Sequence, residues 1–287
     1  MRNLESNTSF HHTSRFVTKS TILACILASV GSFSVMASED DALAKAISSD
    51  FRQASNAERD QYRHPAETLA FFDIKPTQTV IELWPGGGWY AEILAPYLAK
   101  EGHYIGANFE TAPTEDTPGN QYRAKAGKKF AAWLNEHQAV LGAASTVTFD
   151  PPAKLSLGED NSADLVLTFR NLHNWAMSGQ LESVFTSSYK VLKDGGVFGV
   201  VEHRAKPGMD AKSGYMDQAQ MVALAEKVGF TLVASSEINA NPKDTKDYAN
   251  GVWTLPPSYR MGEQDKDKYL AIGESDRMTL KFVKKSH

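Results

Sequence analysis

From residue 79 onward, apolar and polar positions follow a strand-then-helix rhythm. Thr79 to Trp84 is a short apolar run, and Pro85, Gly86, Gly87 and Gly88 follow it directly. Trp89 to Lys100 then places Ile93, Leu94, Tyr97 and Leu98 at helical spacing, so a strand feeds a helix through glycines. His103 to Phe109 predicts a second strand. The polar, proline-containing stretch 111–119 predicts a loop, and Tyr122 to Leu141 a long helix carrying Phe130, Trp133, Leu134 and Val140. Thr146 to Phe149 predicts a third strand, and Asp164 to Phe169 a fourth, buried on both faces. Leu181 to Leu192 predicts a helix closed by Lys193-Asp194-Gly195-Gly196, before a fifth strand over Val197 to Glu202. Tyr215 to Val228 predicts a helix that Gly229 stops, and Thr231 to Ser235 and Met278 to Val283 predict two last strands. Ahead of the first strand, Ala42 to Ala54 and Pro65 to Phe72 predict helices, with Pro65 tolerated in the first turn. The alternation predicts an α/β chain with a doubly wound, mostly parallel sheet of seven strands and helices on both faces. Ligands of such sheets sit beyond the carboxyl ends of the strands.

The amino-terminal segment follows a different pattern. Met1 to Ser20 carries Arg2, Arg15 and Lys19 against Glu5, and Thr21 to Met36 is apolar and free of charge. Val35-Met36-Ala37 precedes an acidic start at Ser38-Glu39-Asp40-Asp41. This is the layout of a cleaved secretory signal, so residues 1–37 are read as a signal peptide cut after Ala37. The run is short for a membrane span, so no stable span is expected after cleavage. A periplasmic or secreted location follows as an expectation. The only cysteine, Cys25, lies inside the run, so the processed chain has no thiol chemistry. Losing three positive charges and one negative moves the formal net charge from −4 to −6. No basic patch interleaved with aromatics precedes Lys281, Lys284 and Lys285, so a small molecule is the expected partner and nucleic acid is not. Nothing in the pattern sets an oligomeric state. Residues 38–287 suit one domain, with a helical cap over 38–78.

The glycine loop admits two cofactors. Gly86, Gly88 and Ala91 fit a loose G-x-G-x-x-A, with Glu110 about 20 residues on, where a dinucleotide fold keeps its ribose acid. The second candidate comes from a resemblance. Glu82-x-x-x-Gly86-x-Gly88, DLVLTFRNLHNW (Asp164 to Trp175) and VLKDGGVFGVVEHR (Val191 to Arg204) resemble the first-, fourth- and fifth-strand motifs of class I S-adenosylmethionine-dependent methyltransferases. WPGGGWY, FRNLHNW, EHR and the carboxyl-terminal NPKDTKDYANGVWTLPPSYR and YLAIGESDRMTLKF resemble a group of exported bacterial predicted methyltransferases. The resemblance implies a Rossmann-like sheet and S-adenosylmethionine as cofactor. It also implies that Glu82, Pro85, Gly86, Gly87 and Gly88 lie beside the amino-acid part of the donor. The acid that usually closes the second strand is replaced by Asn108, so Glu110 is the expected ribose partner. Asp150 occupies the place where the family meets the adenine amine, and a turn before Pro151-Pro152 explains it equally well.

Candidate chemistry crowds two strand ends. Arg170, Asn171, His173, Asn174 and Trp175 follow the fourth strand, and Glu202, His203 and Arg204 close the fifth. His173 is the candidate general base, since imidazole titrates near neutrality. His203 and Asn171 are placed with it, and Arg170 with the donor. An ion pair of Glu202 with Arg204 or Arg170 is the ordinary alternative, and no metal site is expected. Residues 239–260 are too long for a plain connection and read as a lid, with Asp244, Lys246, Tyr248 and Trp253 facing substrate or packed on the surface. Trp84 and Trp89 read as wall residues, and Tyr62-Arg63-His64-Pro65 as the start of a helix. The leading expectation is an exported methyltransferase acting on a small or envelope-associated acceptor. The alternative is a ligand-binding protein that keeps the fold without methylating, with a nicotinamide-dependent oxidoreductase third.

Overall fold

In the computed structural model, the structure describes residues 41–285; the signal-peptide reading of residues 1–37 lies outside them. Seven strands form one sheet: β1 (Thr79–Leu83), β2 (His103–Asn108), β3 (Ser145–Thr148), β4 (Ala163–Phe169), β5 (Leu192–His203), β6 (Phe230–Ser236) and β7 (Arg277–Lys284). Their order is β3-β2-β1-β4-β5-β7-β6. β1 to β5 run parallel, while β7 lies antiparallel between β5 and β6. The predicted doubly wound, mostly parallel seven-stranded sheet is the one observed.

Period-two alternation explains why the core has two halves. Val80, Leu165, Leu167 and Val201 pack on one face with Leu69, Phe72 and the helix after β1. Ile81, Leu83, Val166, Phe198 and Val200 pack on the other with Trp175, Phe185 and Met221.

The helices number α1 (41–47), α2 (Ala54–Ala57), α3 (Asp60–Arg63), α4 (Pro65–Phe71), α5 (Ala91–Leu98), α6 (Pro118–Glu136), α7 (Gln138–Leu141), α8 (Leu172–Met177), α9 (Leu181–Val191), α10 (Gln218–Val228) and α11 (Lys266–Ile272). Several boundaries differ from expectation. The helix expected over 42–54 stops at 47, and Arg52 beneath it donates to the Ile47 carbonyl and pairs with Asp60 at 2.6 Å. The long helix after β2 starts at Pro118, capped by Thr117, whose hydroxyl accepts from Asn120 N. The helix expected from Tyr215 starts only at Gln218, where Asp217 caps it. The Lys193 to Gly196 turn belongs to β5, whose pairing with β4 shifts register there. Helices α8 and α11 had no expectation. Among the described residues no helix is long and apolar enough to cross a membrane.

Candidate functional site

The ends of β1, β4 and β5 lie side by side because Leu83 pairs with Thr168 and Phe169 with Val201. Beyond them opens a cavity of about 370 Å³. Glu82, Trp84 and the glycine loop form its floor, Arg170, Asn171 and His173 one wall, and His203 and Ser275 another. Arg59 and Arg63 of the amino-terminal helices and Trp253 of the 239–260 segment complete it.

Two residues at these strand ends have left-handed backbone although neither is glycine: Trp84 (φ 49) and Arg170 (φ 63). Such strain persists only where surrounding structure enforces it, and it clusters at functional sites. The enforcement is visible. Trp84 N donates to Ala107 O at 2.8 Å and Arg170 N to Val201 O at 2.7 Å. The Asn171 amide donates to the carbonyls of Leu83 (3.0 Å) and Trp84 (3.2 Å). Asn171 therefore ties the end of β4 to the turn after β1, which is a positioning role. Gly86 (φ 59) and Gly88 (φ 83) then turn the chain into α5 at no steric cost.

Glu82 faces the cavity from a buried position, and the Tyr104 hydroxyl donates to it at 2.7 Å. Burial raises its carboxyl to about 7, against that hydrogen bond and the charge of Arg170.

His173 is buried in α8, with Nδ1 3.1 Å from Glu202 Oε1. Glu202 also accepts from Leu172 N at 2.6 Å and His203 N at 2.8 Å. The expected ion pair of Glu202 with Arg204 or Arg170 is not formed, because these three donors take its carboxylate. Arg204 instead pairs with Asp276 and Glu237, and Arg170 with Glu274. With Nδ1 held by a carboxylate, the basic Nε2 of His173 is left for the cavity. His203 Nδ1 lies 2.5 Å from Ser275 Oγ, and the two imidazole rings are 5.4 Å apart. Burial, then the charges of His173, Arg170, Arg277 and Arg63, push His203 well below its ordinary value, so its ring is neutral at pH 7. Among the described residues, His173, Glu202 and His203 form the one three-residue group whose ligand atoms lie within 4.8 Å of one another. The spacing suits a cation, but the backbone donors on Glu202 compete for its oxygens.

The sequence reading did not anticipate the charge around Glu274. Arg59 Nη2 lies 2.6 Å from its carboxylate, Arg277 Nη2 3.0 Å, Arg63 Nε 3.2 Å and Arg170 Nη1 3.7 Å. Burial opposes ionisation of Glu274, but these four guanidiniums together outweigh it and bring its carboxyl to about 2. Arg63 belongs to a segment read as the start of a helix, and Arg59 lies just ahead of that segment. Glu274 lies just before β7, in a stretch quoted for its resemblance alone.

Glu110 and Asp150 are not brought to the glycine loop. They line a separate recess with Pro113 and Arg123. Glu110 accepts from Ala112 N in its own turn, and Asp150 forms a backbone bridge with Lys154 and lies 3.8 Å from Arg123. Asn108 is buried and satisfied, donating to Gly127 O and accepting from Phe109 N.

The Trp84 side chain is held by aromatic neighbours. Its ring centroid lies 4.7 Å from that of Phe109 and 4.6 Å from that of Trp175, and its Nε1 donates to Phe149 O at 2.8 Å. Phe109 and Phe149 immediately precede Glu110 and Asp150. Trp84 itself lines the cavity, so its indole packs against the residues next to the two acids.

Of the 239–260 residues expected to face substrate, Trp253 reaches the cavity, its ring 5.8 Å from that of His173. Asp244 is bound by Tyr215 and Asp276 N, Lys246 pairs with Asp276, and Tyr248 packs on Tyr269. Trp89 is a wall residue, as expected; Arg63 lies over its ring at 4.7 Å.

No family model matches the chain, and no curated protein matches its sequence. Solved structures do match. SpnF, a 4+2 cyclase, is 14% identical with a TM-score of 0.53, over 84% of this chain and 86% of that one. A candidate sarcosine dimethylglycine methyltransferase from Galdieria sulphuraria is 15% identical with a TM-score of 0.50, over 81% of this chain and 88% of that one. At such identities the likeness concerns backbone architecture, and one of the two is named for chemistry other than methyl transfer. The seven-stranded Rossmann-like sheet of this chain is similar in fold to these two structures.

Proposed function

We propose that this protein uses the methyltransferase fold to bind a small polar ligand at the strand-end cavity, without taking a nucleoside-bearing methyl donor in the extended pose. The observation that carries the reading is the Trp84 indole, which lines the cavity, is packed at a tilt against Phe109 and Trp175 and donates to Phe149 O, beside the residues that precede Glu110 and Asp150. The cavity presents His173, oriented by Glu202, as a group able to take or give a proton at Nε2. His203, neutral and oriented by Ser275, stands beside it as a hydrogen-bonding partner. The signal peptide read at residues 1–37 supports the same reading, since an exported chain works away from the cytoplasm, where S-adenosylmethionine is made.

A second reading is S-adenosylmethionine-dependent methylation of a small or envelope-associated acceptor. The retained glycine turn at Gly86 and Gly88, with Glu82 beside it, favours this reading. Calorimetry separates the two. The purified full-length chain is titrated with S-adenosylmethionine and with its demethylated product, up to millimolar concentration. No saturable heat is expected. Micromolar binding of the product, abolished in Gly86→Val, would establish the second reading in place of the first.

A further inference from the structure

Four guanidiniums surround a single carboxylate at one end of the cavity. Arg59, Arg63, Arg170 and Arg277 against Glu274 leave three positive charges in excess. Two other carboxylates lie nearby. Glu82 has its proton held to about pH 7, and the oxygens of Glu202 are taken by Leu172 N, His203 N and His173. Even with both ionised, the cluster stays positive.

Buried charge without a partner is costly, so an uncompensated cluster signals a missing counter-charge. Arg63 makes the point at atomic level. Its side chain is 2% exposed, and Nε is directed at Glu274. Nη1 is fully buried, lacks a hydrogen-bond partner, and belongs to a residue that lines the cavity. Arg170 sits at the rim, its side chain 22% exposed and held only 3.7 Å from Glu274, too long for a hydrogen bond. Both therefore have N–H groups left for a ligand. Planar guanidiniums at close quarters suit the paired oxygens of a carboxylate or phosphate.

We infer that the ligand of the cavity is an anionic small molecule, whose carboxylate or phosphate seats between Arg63 and Arg170 and whose remainder lies toward Trp253 and Nε2 of His173. The inference rests on the proposed function only in placing the ligand in this cavity.

The test is thermal unfolding of the full-length chain with inorganic phosphate or succinate, against chloride at equal ionic strength. At least one of the two anions is expected to raise Tm saturably, with a midpoint in the millimolar range or below. Which one does so distinguishes the head groups. Arg63→Gln and Arg170→Gln are each expected to weaken the effect at least tenfold. The surface variant Lys227→Gln should leave it unchanged, since Lys227 is exposed and pairs with exposed Glu182. Glu274→Gln frees guanidinium donors and should tighten anion binding. A Tm response no larger than that of chloride would overturn the inference, as would full affinity in a folded Arg170→Gln, which sits at the rim and does not depend on Arg63→Gln folding. Failure with both anions, with no binding of the demethylated donor either, removes this assignment and leaves the proposed function standing. Binding of that product with no anion response removes both.

Discussion

Glu82→Gln isolates the electrostatics of the cavity floor. Glu82 has a folded-state value of about 7 against an ordinary 4.5, burial being the main cause. At about 1.36 kcal/mol per pH unit, the difference is worth about 3 kcal/mol. Because the folded value is the higher one, the folded state binds the proton more tightly than the unfolded chain does. Stability from this group is therefore fully present below pH 4.5. It is lost as pH rises from there to about 7, and the loss is constant above. Glutamine keeps the shape and can still accept from the Tyr104 hydroxyl, but it has no proton to lose. Urea unfolding of both proteins at a series of pH values from 4.5 to 8.5 gives the difference directly, since other titrating groups are common to the two. The variant should gain on the wild type by about 3 kcal/mol across that range. Parallel stability curves, or a gap that opens toward acid, would refute the assignment of a desolvated carboxyl to this position.

Two further outcomes test the neighbouring groups. Glu274→Gln leaves four guanidiniums clustered without their carboxylate and should cost about 3–5 kcal/mol at neutral pH by urea unfolding. Glu274 is held at about 2, so its stabilisation is present above pH 4.5 and lost as pH falls toward 2, and the gap between the proteins should close over that interval. Trp84→Gly removes a packed indole, at about 3–5 kcal/mol, and relieves a left-handed tryptophan, worth about 1–2 kcal/mol. A net loss of about 2–3 kcal/mol is expected; a more stable variant would show that the indole is not packed as described.

The sheet was legible because its central strands β1 and β4 are apolar runs spaced by helices, and burial on both faces leaves little freedom in reading them. Boundaries were less legible, since they depend on caps such as Thr117 and Asp217, whose side chains hold only the first turn. His173, His203 and Glu202 were readable as strand-end residues. The partner of Glu202 was not, because the donors that took the carboxylate include the backbone N–H groups of Leu172 and His203, which no side-chain pattern announces. The arginine cluster was invisible for a stronger reason. Arg59 and Glu274 are 215 positions apart, and no periodicity links them. One signal was available: Glu274, Asp276 and Arg277 stand directly before an apolar strand, where charge is expensive unless paired. Trp84 carried another, a bulky residue directly before the Pro-Gly-Gly-Gly turn, where only the ring's role as a wall was foreseen and not its left-handed backbone.

The insertion of β7 between β5 and β6 has a consequence for the order of assembly. This strand is the last of the described strands in sequence, and the turn leading into it supplies Glu274 to Arg59 and Arg63, which precede β1. A chain synthesised from its amino terminus makes these two arginines long before their counter-charge exists. The cavity thus reaches its final charge balance only when the turn before β7 meets Arg59, a contact 215 positions apart in sequence and so among the slowest to form. A chain lacking its last strand could form most of the sheet and still expose an arginine-rich opening, a trait by which quality control could distinguish unfinished copies from finished ones.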